Sequence, residues 1–393
     1  MNVIETRTGS VEVVSRQRLA QCRHWANAFA SQHKDRRYYE LVEDTIHPEI
    51  DYRYFAIKDG RGEIGAIQPF FILDQDLLVG MSPSLGMAID AVRALWPRFM
   101  HVRTMMVGCV AGEAHLDDAD DEERAVHAER LADAIVPHAR ALGTPLIVLK
   151  EFPKTYRGVL ECFRRRGFTR VPSMPMTRLN IEYASFDAYM RQALNSATRK
   201  KLRKKFDAAA RAAPIEMSVY RDVTPMIDDV YALYLQVYRR SKLHFEKLTR
   251  EYFCTLGRLM PDKVRFFVWR QGERMVAFCE CMVHDQTIFA EYLGLDYLVA
   301  FDLHLYHYVF RDIVTWAMAN GCRWFQSTGL NYDPKLHLRQ RLAPIDLYVR
   351  HTSPVVNAGL KRALPLLEPT RYDPTLPKFA NYAELWGSLP GER

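Results

Sequence analysis

The stretch KVRFFVWRQGERMVAFCECMVHDQTIFAEYLGL, from Lys263, constrains the fold more than any other part of the chain. Three runs rich in β-branched and aromatic residues are separated only by QGE and HDQ. Runs of that kind between short turns predict three antiparallel strands. LHLYHYVFRDIVTWAMANG then reads as a long helix closed by Gly321, and CRWFQSTGL as a further apolar strand. The first half repeats this grammar. YFAI, the turn DGRGE and IGAIQPFFIL predict a strand pair, and HVRTMMVG another strand. DDADDEER opens a helix with acidic residues, which suit the positive end of the helix dipole. That helix stops at Gly143, and TPLIVLKEF follows as a buried strand.

Each half therefore pairs antiparallel strands with a Gly-ended helix that leads into an apolar strand. Helices packed on a mixed, mostly antiparallel sheet make an α/β fold, twice over. The expected units are residues 1–184, residues 185–351, and a Pro-rich tail, 352–393, wrapping the surface irregularly. Across 393 residues, a 48% hydrophobic and 26% charged composition is that of a globular chain with a substantial core. A net charge of +7 favours an anionic partner without naming one. The seven cysteines contain no CxxC pair and predict buried free thiols, with Cys279 and Cys281 on one strand face. The opening MNVIETRTGSVEVV lacks the basic-then-apolar order of a signal peptide, and no apolar run is long enough to cross a bilayer. These features predict a cytoplasmic protein without integral membrane association.

No GxxxxGK[ST], HExxH or GxSxG motif occurs. His304 and His307 share a helical face but lack further ligands at metal spacing, so no metal site is expected. Three regions carry candidate chemistry. One strand ends at Glu291 and Tyr292, just before a loop and the long helix. Another ends in STGLNYDPKLHLRQR, which holds Gly329, Asn331, Lys335, Arg339 and Arg341. The third is the run Arg199–Lys205, in which six of seven residues are basic. Loops between strand ends and helix starts are common anion sites. Taken singly, each has a plainer reading: a paired glutamate, half-buried tyrosines, an exposed lysine, a solvated helix face. If both strand ends lie at one sheet edge, the groups converge.

The order RKKLRKKF, YFCTLGRL, VWRQGERMVAFCECMVHDQTIFAEYLGLD and GCRWFQSTGLNYDPK resembles the GNAT-type acyltransferases of the Fem-like and BioF2-like group. Gly272, Ala277, Tyr292 and Asp296 match its strand segment, and Gly321, Phe325, Gly329, Tyr332 and Lys335 its later segment. The resemblance implies tandem GNAT-like domains and transfer of an acyl group from acyl-CoA, or an acyl carrier, to a small-molecule or peptide amine. The Fem ligases imply an alternative donor, aminoacyl-tRNA. Neither would be a tightly bound cofactor. Simple GNAT enzymes cradle CoA phosphates in a Gly-rich turn, whereas LDYLVAFDLHL has no glycine after Gly294, so the donor stays open.

Acyl transfer needs a neutral amine and stabilisation of the oxyanion. Glu291 is the candidate base or amine-positioning group, with Tyr292 in support. Lys335 and Asn331 are candidates for the carbonyl oxygen or donor phosphates, with Gly329 and Arg339 in the same donor-binding loop. Arg199, Lys200 and Lys204 are expected to face the anionic donor. The run has no interleaved aromatics, so any RNA contact is to phosphates rather than bases. Two other classes compete: a non-catalytic tandem scaffold binding an anionic partner, and a peripheral membrane protein. The basic helix has little apolar face beyond Leu202 and Phe206, which weighs against the second.

Overall fold

The computed structural model describes residues 3–46, 50–76, 101–117, 119–210, 214–241 and 246–387. In chain order, the first half has β1 (Val3–Thr6), β2 (Gly9–Val14), α1 (Arg36–Thr45), β3 (Asp51–Lys58), β4 (Ile64–Asp76) and β5 (His101–Val107). It continues with α2 (Asp121–Ala141), β6 (Leu146–Pro153), α3 (Arg157–Arg165) and β7 (Thr169–Pro172). Then come β8 (Met176–Asn180), α4 (Phe186–Ala193), α5 (Ser196–Ala210), β9 (Ile215–Tyr220), α6 (Ile227–Arg240) and α7 (Arg250–Leu259). The strands β10 (Val264–Gln271), β11 (Arg274–His284) and β12 (Thr287–Leu295) precede α8 (Leu305–Ala319) and β13 (Trp324–Ser327). Last are α9 (Tyr332–His337), β14 (Arg341–Ala343), β15 (Ile345–His351) and α10 (Pro354–Leu367).

These strands build an eight-stranded sheet, β1-β2-β3-β4-β5-β6-β15-β7, and a seven-stranded one, β14-β8-β13-β12-β11-β10-β9. Both are mixed: β5–β6 and β12–β13 pair in parallel, and the other neighbours run antiparallel. The expected α/β class with two helix-flanked sheets is the one observed. The sheets exchange strands. β8 pairs with β13 and β14 in the second sheet, while β15 returns to lie between β6 and β7 in the first. The chain thus changes sheets between Pro172 and Met176 and again between Ala343 and Ile345, whereas the divisions expected at 184 and 351 follow the helices.

Helices α2 and α3 cover the outer face of the first sheet, packing Leu131, Ile135 and Phe163 against Phe55, Phe70 and Ile147. Helices α4, α5 and α8 cover the outer face of the second with Tyr189, Leu202 and Phe310 against Phe267 and Phe325. The inner faces meet around α1, α6 and α7, where Tyr38, Leu233 and Phe253 join Phe71 and Phe278. Each such side chain contributes about 1.5–3 kcal/mol of burial. All seven cysteines are free, and Cys279 and Cys281 share the outer-face core of the second sheet.

The tail differs from expectation. Its first part is the helix α10, started by Pro354 at a position where a missing N–H costs nothing. Leu376, Phe379 and Leu385 then pack on Tyr332 and Leu342. Arg157 pins this arrangement. Its guanidinium donates to Asp346 on β15 at 2.6 and 2.9 Å and to the Leu385 carbonyl at 3.1 Å. The exchanged strand, the tail and the packing beneath α9 therefore share one buried ion pair.

Candidate functional site

Two pairs of parallel strands part inside the sheets, and the two partings differ. In the first sheet, β5 and β6 pair from Thr104↔Leu146 to Val107↔Leu149. The segment 108–117 then folds back into the gap. Gly108, at φ +130°, donates to the Pro69 carbonyl, and Ala114 donates to the Glu151 carbonyl. A Cβ on Gly108 would lie 2.6 Å from that of Ala114. Nearly every residue of 108–117 is buried, so the chain fills its own opening. In the second sheet, β12 and β13 pair from Thr287↔Trp324 to Ala290↔Ser327 and then separate. Residues 289–293 and 326–330 are only half-buried although both strands are central. The strand ends therefore lie side by side, as the convergence of Glu291 with the 329–335 loop requires.

Glu291 reaches its position through a bulge. Glu280 pairs with Tyr292 and Cys281 with Ala290, which leaves Glu291 as the extra residue of β12. Its carboxylate points toward the first sheet. Oε2 accepts from Lys34 Nζ at 3.1 Å, and Oε1 lies 3.4 Å from His33 Nε2. Lys34 is fully buried. Burial would lower its pKa, but Glu291 and Glu113 outweigh that and hold it protonated. Burial would likewise raise the Glu291 carboxyl, and Lys34 and His33 bring it below its ordinary value. Tyr292 donates to Glu246 Oε1 at 2.8 Å, and burial raises its phenol well above 10. Glu280 is fully buried and accepts from Tyr252 at 3.3 Å; burial and the neighbouring Glu291 push its carboxyl well above its ordinary value.

The segment carrying His33 and Lys34 is anchored to the second sheet from below. Lys263 donates to the Gln32 carbonyl at 2.6 Å and pairs with Asp35 at 2.8 Å, and Asp35 caps α1. Gly112, at φ +94°, gives Lys34 its room: a Cβ there would lie 2.0 Å from Nζ.

Lys335 lies on α9, which follows the end of β13. It is 4% exposed and donates to the Thr328 carbonyl just past β13. Among the described residues it has no acidic partner, and burial alone lowers its pKa from 10.5 to about 7. Gly329 allows the loop to pass close to β8's lead-in, since a Cβ there would lie 3.1 Å from the Met174 carbonyl. Asn331 adopts left-handed φ +47° at the start of α9 and is exposed. Arg339 is also exposed, at φ +57°.

The basic run is helix α5. Leu202 and Phe206 face the outer core, Arg199 donates to the Leu194 carbonyl at 2.6 Å, and Lys205 contacts His307 Nε2 at 3.0 Å. Lys200, Lys201, Arg203 and Lys204 are exposed, and among the described residues none has an acidic partner. This helix covers the outer face of the second sheet, whereas Glu291 opens on the inner face. The structure thus sets the β12 end that carries Glu291 and Tyr292 beside the β13 end that leads into the Lys335 loop, and Arg199, Lys200 and Lys204 on another surface. His33, Lys34, Glu113, His115, Glu246 and Glu280 escaped sequence reasoning, because they meet only through the contact of the two sheets.

The FemAB-like family, described as peptidoglycan biosynthesis/recognition, matches residues 119–340. This chain belongs to the FemAB-like family. Three solved structures share its fold. L-PGS from Bacillus licheniformis superposes with a TM-score of 0.51 at 11% identity, over 85% of this chain and 96% of that one. FemX does so with a TM-score of 0.50 at 10% identity, over 88% and 97%. A C-terminal domain (DUF2156) from Agrobacterium fabrum gives 0.50 at 13% identity, over 85% and 94%. No curated protein matches the sequence. The Fem-like resemblance read from the motifs is therefore correct. Among the described residues no helix is long and apolar enough to cross a membrane.

Proposed function

We propose that this FemAB-like chain is an acyltransferase whose second sheet carries the reaction, with an aminoacyl-tRNA as donor and an amine as acceptor. One observation carries the reading: a buried lysine, Lys335, with no acidic partner among the described residues, bonded to the Thr328 carbonyl just past the end of β13. An isolated buried ammonium is expensive, and its persistence points to chemistry rather than to packing. The filled parting of the first sheet leaves no equivalent opening there.

In this reading the acceptor amine attacks the donor ester carbonyl at the parting. A C–N bond forms and the ester C–O bond to the carrier breaks. Neutral Lys335 takes the proton that the amine loses and returns it to the departing oxygen. Its pKa near 7 suits both transfers. Glu291, tied to Lys34, supplies fixed negative charge that orients the incoming amine, and Tyr292 holds the strand through Glu246. Asn331 and Gly329 line the turn through which the donor's end passes, and Arg339 lies beside it.

The donor preference rests on α5. Its exposed cations face solvent on the outer surface, over a helix of 15 residues, about 22 Å long. A small pyrophosphate seated at the parting would not need them, whereas an RNA backbone spanning the outer face would. The loop from Asp296 to His304 also has no glycine for a phosphate cradle. Thermal-shift titration with CoA, acyl-CoAs and bulk tRNA tests this. Stabilisation by tRNA at low salt is expected. Stabilisation by acyl-CoA alone would reassign the donor, and stabilisation by neither would defeat the transferase reading.

A further inference from the structure

A second group of side chains has no part in the acyl transfer described above. His33, Glu113 and His115 are 2%, 4% and 8% exposed and place one ligand atom each within 4.8 Å of one another. His33 Nε2 is 4.0 Å and His115 Nε2 is 3.7 Å from Glu113 Oε1. Both separations exceed a hydrogen bond, and both Nε2 atoms are buried without a hydrogen-bond partner. Leaving one buried polar atom unsatisfied costs about 1–3 kcal/mol. Two aimed at one carboxylate oxygen require an explanation.

A cation between them supplies it. Zinc bonds of about 2.0–2.1 Å in a tetrahedron set ligand atoms about 3.3–3.5 Å apart, so the 3.7 and 4.0 Å gaps to Glu113 close by about 0.2–0.7 Å when an ion binds. The surroundings fit ligands rather than packing. His115 Nδ1 faces the Tyr156 hydroxyl at 3.4 Å, which leaves Nε2 free to point inward. Gln326 on β13 donates to both oxygens of Glu113, at 3.3 and 3.2 Å. The His33 ring stacks on Phe289 at 3.9 Å with 7° between planes, which fixes its direction.

We infer that His33, Glu113 and His115 bind one divalent cation of the zinc class and tie the 28–35 segment to the 108–117 segment. Two imidazoles with carboxylate oxygen favour zinc over magnesium or calcium, which take oxygen ligands. The ligands come from the 28–35 and 108–117 segments, and Gln326 ties Glu113 to β13 of the second sheet. It is a holding site, and the acyl-transfer reading stands or falls without it.

The test is metal analysis of the full chain, stripped with a chelator and then dialysed against zinc. One retained zinc per chain and a higher Tm with zinc are expected. His33→Gln and His115→Gln each lose the retained zinc. Gln326→Leu, which touches no cation, lowers zinc affinity about 10–100-fold while circular dichroism stays unchanged. That variant keeps the test decisive if the histidine variants fail to fold. Absence of retained zinc and of any Tm shift would overturn the site, as would equal zinc retention by His33→Gln, His115→Gln and Gln326→Leu.

Discussion

Replacing Lys335 by methionine keeps most of the side-chain volume and removes the buried ammonium. The folded protein lowers this pKa from 10.5 to about 7 through burial. At about 1.36 kcal/mol per unit, that depression corresponds to on the order of 5 kcal/mol of destabilisation carried by the wild type. The sign follows from proton binding. Between pH 7 and 10.5 the unfolded chain binds the proton that the folded chain has lost, so wild-type stability rises with pH. Below pH 7 both states are protonated and the full penalty applies. Lys335→Met is therefore more stable than wild type at pH 6, and its advantage shrinks by about 2–3 kcal/mol on going to pH 9. Loss of the bond to the Thr328 carbonyl subtracts about 1 kcal/mol from the variant at every pH and leaves the slope intact. Urea unfolding of both proteins at pH 6, 7.5 and 9 measures the gap, and the difference cancels the other titrating groups. A gap independent of pH, or a wild type more stable at pH 6, would refute the claim that Lys335 is an unpaired buried amine.

Other outcomes follow from the same contacts. Arg157→Met leaves Asp346 buried with Arg170, at 3.1 Å, as its remaining cation and should destabilise by about 2–3 kcal/mol in urea unfolding. Gly112→Ala puts a Cβ 2.0 Å from Lys34 Nζ at a positive φ and should cost about 3 kcal/mol or more, while Gly62→Ala, with open space around it, should cost far less by the same assay. Changing Lys200, Lys201, Arg203 and Lys204 together to glutamine should reduce the slope of log affinity for tRNA against log salt by about 3, with no loss of thermal stability.

The sequence made the scaffold legible where periodicity and turn chemistry act locally. The QGE and HDQ turns, the Gly143 and Gly321 helix ends, and the apolar strands all lie where their residues predict. The exchange of β8 and β15 between sheets was not legible, because pairing partners so distant in the chain leave no local trace. The tail helix α10 was hidden by prolines at its start and inside its last turn, Pro354 and Pro365. At the site, Glu291, Tyr292 and Lys335 were found from strand ends and motif spacing. Lys34, His33 and Glu113 were not, since a lone lysine in SQHKDRR or a glutamate in VAGEAHL reads as surface until the sheets meet. The bulge that aims Glu291 is likewise a register event between β11 and β12, invisible in either strand alone.

The most direct test of the central claim is the pH dependence of single-turnover aminoacyl transfer from labelled aminoacyl-tRNA to a primary amine. Wild-type rate should rise through pH 7 as Lys335 loses its proton, and Lys335→Met should fall about 10²–10⁴-fold and lose that rise. A Lys335→Met protein that retains both the rate and its pH dependence would contradict the account.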